Sequence, residues 1–329
     1  MNVLVTGGAG YIGSHAVKML LTRNDKVVIV DNLSTGYFEA VDKNAIFYQE
    51  DITNTDKIKE ILIKEKIDAV IHFAAFSLVG ESMEKPLKYY HNNVYGTKTL
   101  LEAMIQANVK YIIFSSTAAV YGEQEVMPIT EDMLEIPTNT YGETKLAMEK
   151  MMKWADLAYG IKYIALRYFN VAGAFHTAEI GEAHNPETHL IPLILQVPNN
   201  KRKHISIFGT DYETKDGTAI RDYIHIEDLI AAHILALDHI RKTNQSDYFN
   251  LGSGEGYSVK EVIDAARRVT NHAIPAVDEP RRSGDPKILI ASSEKAKRII
   301  HWSRKYKNID VIIKSAWDFH KTHKDGYHE

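Results

Sequence analysis

The first 31 residues constrain the fold more than any other part of the chain. An apolar segment, Asn2–Thr6, leads directly into glycines at Gly7, Gly10 and Gly13, and a helical pattern follows over residues 14–21. Glycines at this spacing, between a strand and a helix, permit a tight turn and let the backbone approach a pyrophosphate held at the helix N-terminus. The order strand, glycine loop, helix therefore predicts a dinucleotide-binding unit.

A second predicted strand ends in an acidic residue. Residues 26–30 read as a strand, and Asp31 follows it, 18 residues beyond Gly13. A carboxylate in this place binds the hydroxyls of an adenosine ribose and repels a ribose 2′-phosphate. The sequence therefore predicts NAD in preference to NADP.

Strands and helices alternate through the first half of the chain. Further strands are predicted at 46–49, 69–73, 111–114 and 162–166, with amphipathic helices around 55–65, 86–107 and 144–159. This alternation predicts an α/β fold with a doubly wound parallel sheet, the Rossmann arrangement.

From Asn170 onward the pattern changes to short elements separated by loops rich in Gly, His, Asn and Pro. At 329 residues the chain is long enough for two lobes. We expect residues 1–169 and about 222–252 to form the NAD-binding domain. Residues of about 170–221 and 253–329 are expected to form a second, smaller α/β lobe that binds the substrate at the carboxyl ends of the parallel strands.

The composition limits the partners. With 39 basic and 43 acidic residues the formal net charge is −4, and no basic stripe points to nucleic acid. The chain has no cysteine, which excludes disulfides and thiol nucleophiles and fits a reducing compartment. No segment approaches the roughly 18 apolar residues that span a bilayer. We expect a cytoplasmic protein without nucleic-acid or membrane partners.

Tyr141 and Lys145 lie four residues apart in a predicted helix, and a hydroxyl cluster, Ser115-Ser116-Thr117, precedes them. Residues four apart share a helix face. A phenol titrates near 10 in water, so a neighbouring positive charge is needed to make it a base at neutral pH. The pair predicts a proton-transfer site, although the same spacing also occurs on ordinary solvated helix faces.

Several motifs together resemble the extended short-chain dehydrogenase/reductase family, and within it the UDP-glucose 4-epimerases. The resemblance runs from residue 2 to about residue 320. It is carried by the glycine pattern and the Tyr141/Lys145 pair, and by Asp31-Asn32, Asp51, residues 72–75, Asn92-Asn93, residues 115–122, residues 167–170 and residues 221–225.

The resemblance implies a tightly held NAD that is used and regenerated in each turnover. Tyr141 would take the proton of the sugar 4-hydroxyl while a hydride moves from C4 to NAD. The 4-keto sugar would turn over in the pocket and receive the hydride on its opposite face, so that UDP-galactose and UDP-glucose interconvert. Lys145 would lower the pKa of Tyr141 and bind the nicotinamide ribose, and Thr117 would hydrogen-bond the sugar oxygen. The alternative for Thr117 is a buried residue at a strand end.

The resemblance also implies two sets of binding residues. Those expected to contact NAD are Gly7, Gly10, Tyr11, Ile12, Gly13, Asp31, Asn32, Ser34, Thr35, Gly36, Asp51, Ile52, Phe73, Ala74, Ala75, Ser77, Asn92, Tyr141, Lys145 and Phe169. Those expected to contact the UDP-sugar are Thr117, Tyr141, Asn170, His189, Leu190, Phe208, Arg221, Arg282, Asp285 and Leu289. Within the second set, Arg221 and Arg282 would pair with the diphosphate, Asp285 would meet the uridine ribose, and Phe208 would pack near uracil.

The chain departs from the family pattern at a few positions. Thr117 stands where a family member has a serine, and Ser77 where it has a lysine near the nicotinamide. Leu289 occupies the position whose bulk governs whether a 2-acetamido group fits. Leucine is smaller than the tyrosine of restrictive enzymes, which leaves UDP-N-acetylhexosamines open as further substrates.

Three alternatives bear on the function. A nucleotide-sugar 4,6-dehydratase would carry an Asp-Glu pair directly after the catalytic threonine, where this chain has Ala118-Ala119. Another NAD-dependent nucleotide-sugar epimerase remains an alternative. A catalytically idle NAD-sensing scaffold would commonly lose the tyrosine or the lysine, and both are present here.

The chain has 15 histidines, and two of them lie near glutamates in one loop. His184 and His189, with Glu182 and Glu187, lack the pattern of two histidines four apart on a helix. We therefore expect solvated loop residues and no metal. His225 is expected to be a buried, hydrogen-bonded histidine rather than a catalyst.

A homodimer is the expected oligomeric state, because helices such as 86–107 and 144–159 commonly pair into a four-helix interface in this superfamily. An apolar stripe on these helices could serve the interface or pack inside the domain. It consists of Leu100, Met104, Ala107, Met148, Met151 and Met152.

Overall fold

Seven parallel strands form the main sheet of the computed structural model, which describes residues 1–282 and 285–327. Residues 283–284 and 328–329, which the predicted second lobe includes, lie outside the described residues. The strand order across the sheet is β3-β2-β1-β4-β5-β6-β11. These strands are β1 Asn2–Thr6, β2 Lys26–Asp31, β3 Ile46–Gln49, β4 Ala69–His72, β5 Tyr111–Ser115, β6 Lys162–Tyr168 and β11 Asp247–Leu251.

Shorter strands form small sheets outside the main one. β9 pairs with β12 and β14, β8 with β13, and β7 with β10. Their bounds are β7 Asn170–Ala172, β8 Ile205–Phe208, β9 Ile220–Arg221, β10 Tyr223–His225, β12 Tyr257–Ser258, β13 Ala276–Glu279 and β14 Ile288–Leu289.

The strands are connected largely through helices. The α-helices are α1 Tyr11–Thr22, α2 Thr55–Lys64, α3 Val79–Glu84, α4 Pro86–Tyr89, α5 Gly96–Ala107, α6 Thr140–Tyr159, α7 Leu190–Leu195, α8 Ile226–Thr243, α9 Val259–Thr270, α10 Glu294–Ile300 and α11 Ile309–Thr322. Short 3₁₀ turns cover Phe38–Ala40 and Ala118–Tyr121.

Two helices differ from their predicted bounds. The predicted helix 86–107 is divided by a π-helical turn at Tyr90–Tyr95, a distortion that frequently accompanies functional sites. The helix predicted from residue 144 begins at Thr140, because the side chain of Asn139 accepts a hydrogen bond from the Gly142 N–H and caps it. The earlier start brings Tyr141 into the first turn.

Each face of the main sheet carries its own hydrophobic core. Along β1, Val3 and Val5 point into a core that α1 and α8 cover, whereas Leu4 points into a core that α2, α5 and α6 cover. A strand buried on both faces reads as a continuous apolar run, as these strands do. The predicted doubly wound Rossmann fold is confirmed, and β1 and β4 are the central strands where the winding reverses.

A separate hydrophobic cluster forms around α7, α9 and α11. Ile194, Ile205, Val262 and Ile313 are among its buried members. The division of the chain into two lobes, with the boundaries given above, stays a prediction. No helix in the described residues is long and apolar enough to cross a membrane.

The methionine stripe packs inside the molecule. Leu100, Met104, Met148 and Met152 are fully buried in the core beneath α5 and α6. Of the two roles considered for this stripe, a dimer interface or packing inside the domain, the structure shows packing inside the domain.

Candidate active site

The glycine loop joins β1 to α1 in a conformation that side chains would prevent. Gly7 has a φ of +73°, and a Cβ there would lie 2.7 Å from the backbone nitrogen of Ala74. A Cβ on Gly13 would lie 2.0 Å from the carbonyl oxygen of Gly7. Gly10 is the N-cap of α1, and no side chain of the described residues caps it. Backbone N–H groups at this helix start are placed to bind a phosphate.

Asp31 lies beside the glycine loop, as its position after the second strand predicts. Its carboxylate accepts hydrogen bonds from the backbone N–H groups of Ala9 at 3.0 Å and Leu33 at 2.8 Å. Burial raises the pKa of Asp31, and these two bonds partly oppose the rise. Each oxygen retains a lone pair, so the carboxylate can still accept from ribose hydroxyls.

The neighbouring strand ends supply more of the predicted cofactor residues. Asp51, after β3, accepts from the Asn32 amide at 2.7 Å and from the Thr53 N–H at 2.8 Å. Burial alone would raise the pKa of Asp51, but hydrogen bonds from Thr53 and Asn32 outweigh it and leave the pKa lowered. The loop that carries Ser34, Thr35 and Gly36 returns to the glycine loop, where the Tyr37 N–H donates to Ala9.

The segment after β4 passes the glycine loop on its other side. The Phe73 N–H donates to the carbonyl of Thr6 at 3.0 Å, and Ala74 is the residue that crowds Gly7. Ser77, further along this segment, is exposed.

Asn93 links this segment to α6, the helix that carries Tyr141 and Lys145. The sequence patterns did not predict this role for Asn93. Asn93 is fully buried, exchanges hydrogen bonds with both backbone groups of Phe76, and donates to Thr144 Oγ1 at 3.1 Å. The predicted contact residue, Asn92, donates to Asn93 Oδ1 at 3.0 Å. Asn92-Asn93 stand within a continuous helical pattern, so no local signal in the sequence distinguishes the buried amide of Asn93.

Tyr141 and Lys145 lie on α6 with the ammonium beside the ring. Lys145 Nζ is 5.8 Å from the centroid of the Tyr141 ring and 4.9 Å from that of Phe114. The ammonium donates to the carbonyl oxygen of Ser115 at 2.7 Å, which fixes it at the carboxyl end of β5. The Tyr141 N–H donates to Ser82 Oγ at 3.1 Å.

Burial shifts the pKa values of both members of this pair. Burial raises the pKa of Tyr141 to about 12, and the hydroxyl of Thr117 opposes the rise. Burial also lowers the pKa of Lys145 to about 7, against the opposing charge of Glu149. A lysine with that pKa is only partly charged at neutral pH. Desolvation is the largest influence on both groups, and the expectation that Lys145, together with a cationic nicotinamide, lowers the pKa of Tyr141 stays a prediction.

Thr117 follows β5 and is 6% exposed. It caps the 3₁₀ turn Ala118–Tyr121, and its Oγ1 accepts from the Ala119 N–H at 3.1 Å. The hydroxyl of Thr117 acts on the pKa of Tyr141, so Thr117, Tyr141 and Lys145 lie in one site.

A buried ion-pair network supports this hydroxyl segment from behind. Arg167 on β6 pairs with Glu149 on α6, and the Ser116 hydroxyl donates to the same carboxylate. Arg167 also donates to Tyr121 Oη at 2.8 Å, which in turn donates to Asn250 at 2.8 Å. Arg167 and Glu149 were not predicted as site residues. Each looks like an ordinary strand or helix residue in its local window, because its partner comes from another element.

A second group of predicted residues gathers on the small sheets. Arg221 on β9 pairs with Asp285, and the Arg282 guanidinium lies 4.0 Å from the ring centroid of Phe208. Leu289 on β14 is the strand partner of Arg221.

The remaining predicted substrate residues are spread more widely. Asn170 begins β7, next to Asp222, whose carbonyl accepts its N–H at 3.2 Å. Phe169 packs against the small core around Tyr121, and Leu190 begins α7. His225 accepts the Glu227 N–H and contacts Ser315 Oγ at 2.9 Å, as expected of a buried histidine.

His189 lies in a compact cluster with Glu182, His184 and Glu187. Glu182 is 4% exposed, and both carboxylates face the two imidazole rings. The expectation of solvated loop residues was wrong, because the loop folds back and buries its charged groups together.

Comparisons with known proteins show relatives that match this chain over most or all of its length. Residues 3–252 match the model of the NAD dependent epimerase/dehydratase family. A UDP-glucose 4-epimerase of Lactobacillus helveticus is 56% identical over 329 residues, which cover 100% of both chains. A crystal structure of a UDP-glucose 4-epimerase superposes with a TM-score of 0.98 at 54% identity, with all of both chains covered. A Bifidobacterium longum UDP-glucose 4-epimerase, solved with NAD⁺ and UDP, gives a TM-score of 0.95 at 37% identity over 99% of this chain and 100% of that one.

Proposed function

This chain belongs to the NAD dependent epimerase/dehydratase family, and we propose that it interconverts UDP-galactose and UDP-glucose through a transient oxidation at the sugar C4. One observation carries the proposal. The chain is similar over its full length to UDP-glucose 4-epimerases, and it keeps Tyr141, Lys145 and Thr117 together at the end of β5.

NAD is the cofactor of the family, and the residues of this chain fit it. The N-terminus of α1 is open to the pyrophosphate, and Asp31 lies beside it with free lone pairs for a ribose. When bound, NAD supplies the acceptor that takes the hydride from C4 and returns it. The remaining predicted contacts, from Asn32 to Phe169, stay proposals.

The chain's own groups move the proton. Tyr141 takes it from the sugar 4-hydroxyl and returns it after the keto sugar has turned, and Thr117 hydrogen-bonds the same oxygen. With a pKa raised to about 12 by burial, the Tyr141 phenol stays protonated at neutral pH and cannot accept a proton. A positive charge close to the Tyr141 ring is therefore required. Lys145 supplies that charge when a nearby anion or hydroxyl stabilises its ammonium form.

The UDP moiety is proposed to bind at the second group of residues. Arg221 and Arg282 would pair with the diphosphate, and guanidinium forks suit such bidentate contacts. Phe208 would pack near uracil and Asp285 would meet the ribose, while Asn170, His189 and Leu190 would line the approach. In the structure both arginines already have partners, so binding requires an exchange of contacts.

The range of sugars is proposed to extend to UDP-N-acetylhexosamines, because Leu289 leaves more room than a tyrosine. Absence of turnover with UDP-N-acetylglucosamine, at enzyme concentrations that turn over UDP-galactose readily, would refute this extension.

We also propose a homodimer, built on a face other than the buried methionine stripe. Apolar side chains on the outer surface of this helix region are exposed, namely Met83, Leu87, Tyr90, Tyr95, Trp154, Leu157 and Tyr159. Light scattering coupled to gel filtration would test the state, with Leu87→Glu expected to yield monomer. A cytoplasmic location is proposed from the absence of cysteine alone.

The first experiment incubates the purified protein with UDP-galactose, without added NAD, and follows the sugar by proton NMR. Appearance of UDP-glucose is the expected result. No change, even with NAD supplied, would overturn the substrate assignment. Formation of a 4-keto-6-deoxy sugar would identify a dehydratase instead.

A further inference from the structure

Four side chains in the loop between β7 and α7 direct their metal-binding atoms to one point. They are Glu182, His184, Glu187 and His189, and one ligand atom from each lies within 4.8 Å of all the others. The spacing E-x-H-x-x-E-x-H places all four within eight residues. The proposed reaction assigns no chemistry to this cluster as a unit.

The separations fit a tetrahedral ion. Nδ1 of His184 lies 3.4 Å from a Glu182 oxygen and 3.5 Å from a Glu187 oxygen, and Nδ1 of His189 lies 2.9 Å and 3.4 Å from oxygens of the same two residues. Zinc bonds to nitrogen and oxygen of about 2.0–2.1 Å, arranged tetrahedrally, hold neighbouring ligand atoms about 3.3–3.4 Å apart. The two distances to Glu187 involve different oxygens, Oε2 for His184 and Oε1 for His189. Within the set of Glu182 Oε1, Glu187 Oε2 and the two Nδ1 atoms, the two separations from His184 are within about 0.2 Å of that geometry, and the one between His189 and Glu182 is shorter.

The two Nδ1 atoms make no hydrogen bond despite these short approaches. Both are buried, and neither has a partner with hydrogen-bond geometry. Buried polar atoms without partners are uncommon because they lose their water without compensation. Nitrogen lone pairs aimed between two carboxylates, rather than along an N–H···O line, are the arrangement of a shared metal ligand set.

Charge alone does not distinguish a metal from protons. Two carboxylates are balanced equally well by one divalent cation or by two imidazolium groups. The glutamates do favour protonation: although burial alone would lower both values, they raise the pKa of His184 to about 9 and of His189 to about 10. The distinguishing observation is that neither Nδ1 atom meets a carboxylate oxygen with hydrogen-bond geometry, which is what a protonated histidine beside a carboxylate would be expected to do.

The surroundings hold the ligands and leave an entry. Glu187 accepts from the backbone N–H groups of Thr188 and His189, both at 2.8 Å, which orients its carboxylate. The Tyr11 ring packs edge-on against His184, with centroids 6.3 Å apart. His184 and Glu187 also line a cleft of about 390 Å³ through which an ion can reach them.

We propose that Glu182, His184, Glu187 and His189 bind one divalent transition-metal ion, with Zn²⁺ as the best fit. Two imidazole nitrogens and two carboxylate oxygens suit Zn²⁺, whereas Ca²⁺ and Mg²⁺ prefer oxygen donors alone. Four protein ligands close the coordination sphere, which is typical of a structural site. The ion would tie the start of α7, at His189, to Tyr11 of the glycine loop. A metal ion at this cluster would also fix His189, which the proposed function places beside the approach of the UDP-sugar.

The test measures metal content and metal-dependent stability of the full chain. After treatment with a chelator and reconstitution with Zn²⁺, elemental analysis should find about one ion per chain. Zn²⁺ should raise the melting temperature by at least about 3 °C, while Mg²⁺ and Ca²⁺ should not. Reconstitution with Co²⁺ should give the visible absorption of a four-coordinate ion.

The variants His189→Ala and Glu182→Gln should lose the bound ion and the stabilisation by Zn²⁺. The matched control is His176→Ala, because His176 pairs with Glu227 nearby but lies outside the cluster. The His176→Ala variant should keep both the bound ion and the stabilisation by Zn²⁺. Chelated wild-type protein serves as a second reference if a cluster variant fails to fold. The proposal is overturned if reconstituted wild type holds no more zinc than His189→Ala, or if Zn²⁺ leaves its melting temperature unchanged.

Discussion

The cofactor side and the nucleotide side of the site hold their polar groups in different ways. On the cofactor side, side chains are tied to the backbone: Lys145 donates to the carbonyl of Ser115, and Asp31 accepts from two N–H groups. On the nucleotide side, side chains are tied to one another, as in the pair of Arg221 with Asp285. Backbone contacts persist when a ligand arrives, whereas side-chain pairs have to be exchanged for contacts with it.

The difference follows from the elements that carry each half. Asp31 stands at the end of a buried parallel strand, and Lys145 on α6 donates to the end of another, where the ladder fixes the backbone groups. The nucleotide residues stand on β9 and β14, which have two residues each, and in the loop beside them. We therefore expect substitutions on the cofactor side to affect the chemical step or the stability, and those on the nucleotide side to affect substrate affinity.

The largest effect is expected from Tyr141→Phe. This change removes the proposed base while keeping the ring beside Lys145, so kcat should fall about 10³-fold or more with little change in KM. Tyr159→Phe is the control, because Tyr159 lies on the same helix and is 54% exposed. Equal kcat values for the two variants would remove Tyr141 from the mechanism.

The second prediction concerns the buried network behind the hydroxyl segment. Glu149→Gln leaves the Arg167 guanidinium, which is 1% exposed, with the half-buried Glu135 as its remaining carboxylate partner. Breaking a buried ion pair in this way should lower the free energy of unfolding by about 3 kcal/mol, measured in urea. Glu143→Gln, at an exposed position on the same helix, should change it by less than about 0.5 kcal/mol. A loss as small for Glu149→Gln would show that the cofactor side is not held by this pair.

A third pair of variants, at Thr117, tests whether the hydroxyl or the volume of this side chain matters for catalysis. The hydroxyl lowers the pKa of Tyr141, so its loss in Thr117→Ala should raise that pKa. Because the base acts in its deprotonated form, the rise of kcat with pH should shift to higher pH, and kcat at pH 7 should fall about 10²-fold. Thr117→Ser, which keeps the hydroxyl, should retain the original pH profile. An unshifted profile in Thr117→Ala would assign Thr117 a packing role only.

Sequence reasoning predicted the cofactor side better than the nucleotide side, for the same physical reason. The strand-loop-helix order around Gly7 and Gly13, and Asp31 at a strand end, are local patterns, so their spatial arrangement follows from the chain. The pairs Arg221–Asp285 and Phe208–Arg282 join residues 64 and 74 positions apart through short strands. No periodicity predicts such contacts.

Buried charged residues were the second feature that the sequence patterns did not predict. A carboxylate such as Glu149 or Glu182 looks like a solvated residue in a sequence window, since its partner comes from elsewhere or from a loop that folds back. The π-helical turn that carries Asn93 was missed for a related reason, because its hydrophobic pattern matches that of a continuous helix. Local sequence patterns predict backbone geometry, whereas the burial of a polar side chain depends on which distant elements pack around it in the assembled fold.

The smallest effect, and the finest test of the comparison, comes from two adjacent arginines. Arg282 lies over Phe208, whereas Arg281 pairs with Asp211 and lies 4.1 Å from the Tyr212 ring centroid. If Arg282 leaves Phe208 to bind the diphosphate, Arg282→Ala should raise KM for UDP-galactose by about fivefold to tenfold with kcat unchanged. Arg281→Ala should leave both constants within about twofold, since its exposed ion pair contributes little. A reversed order would exchange the roles of the two arginines, and a fall in kcat for Arg282→Ala would show that the nucleotide side also positions the sugar for reaction.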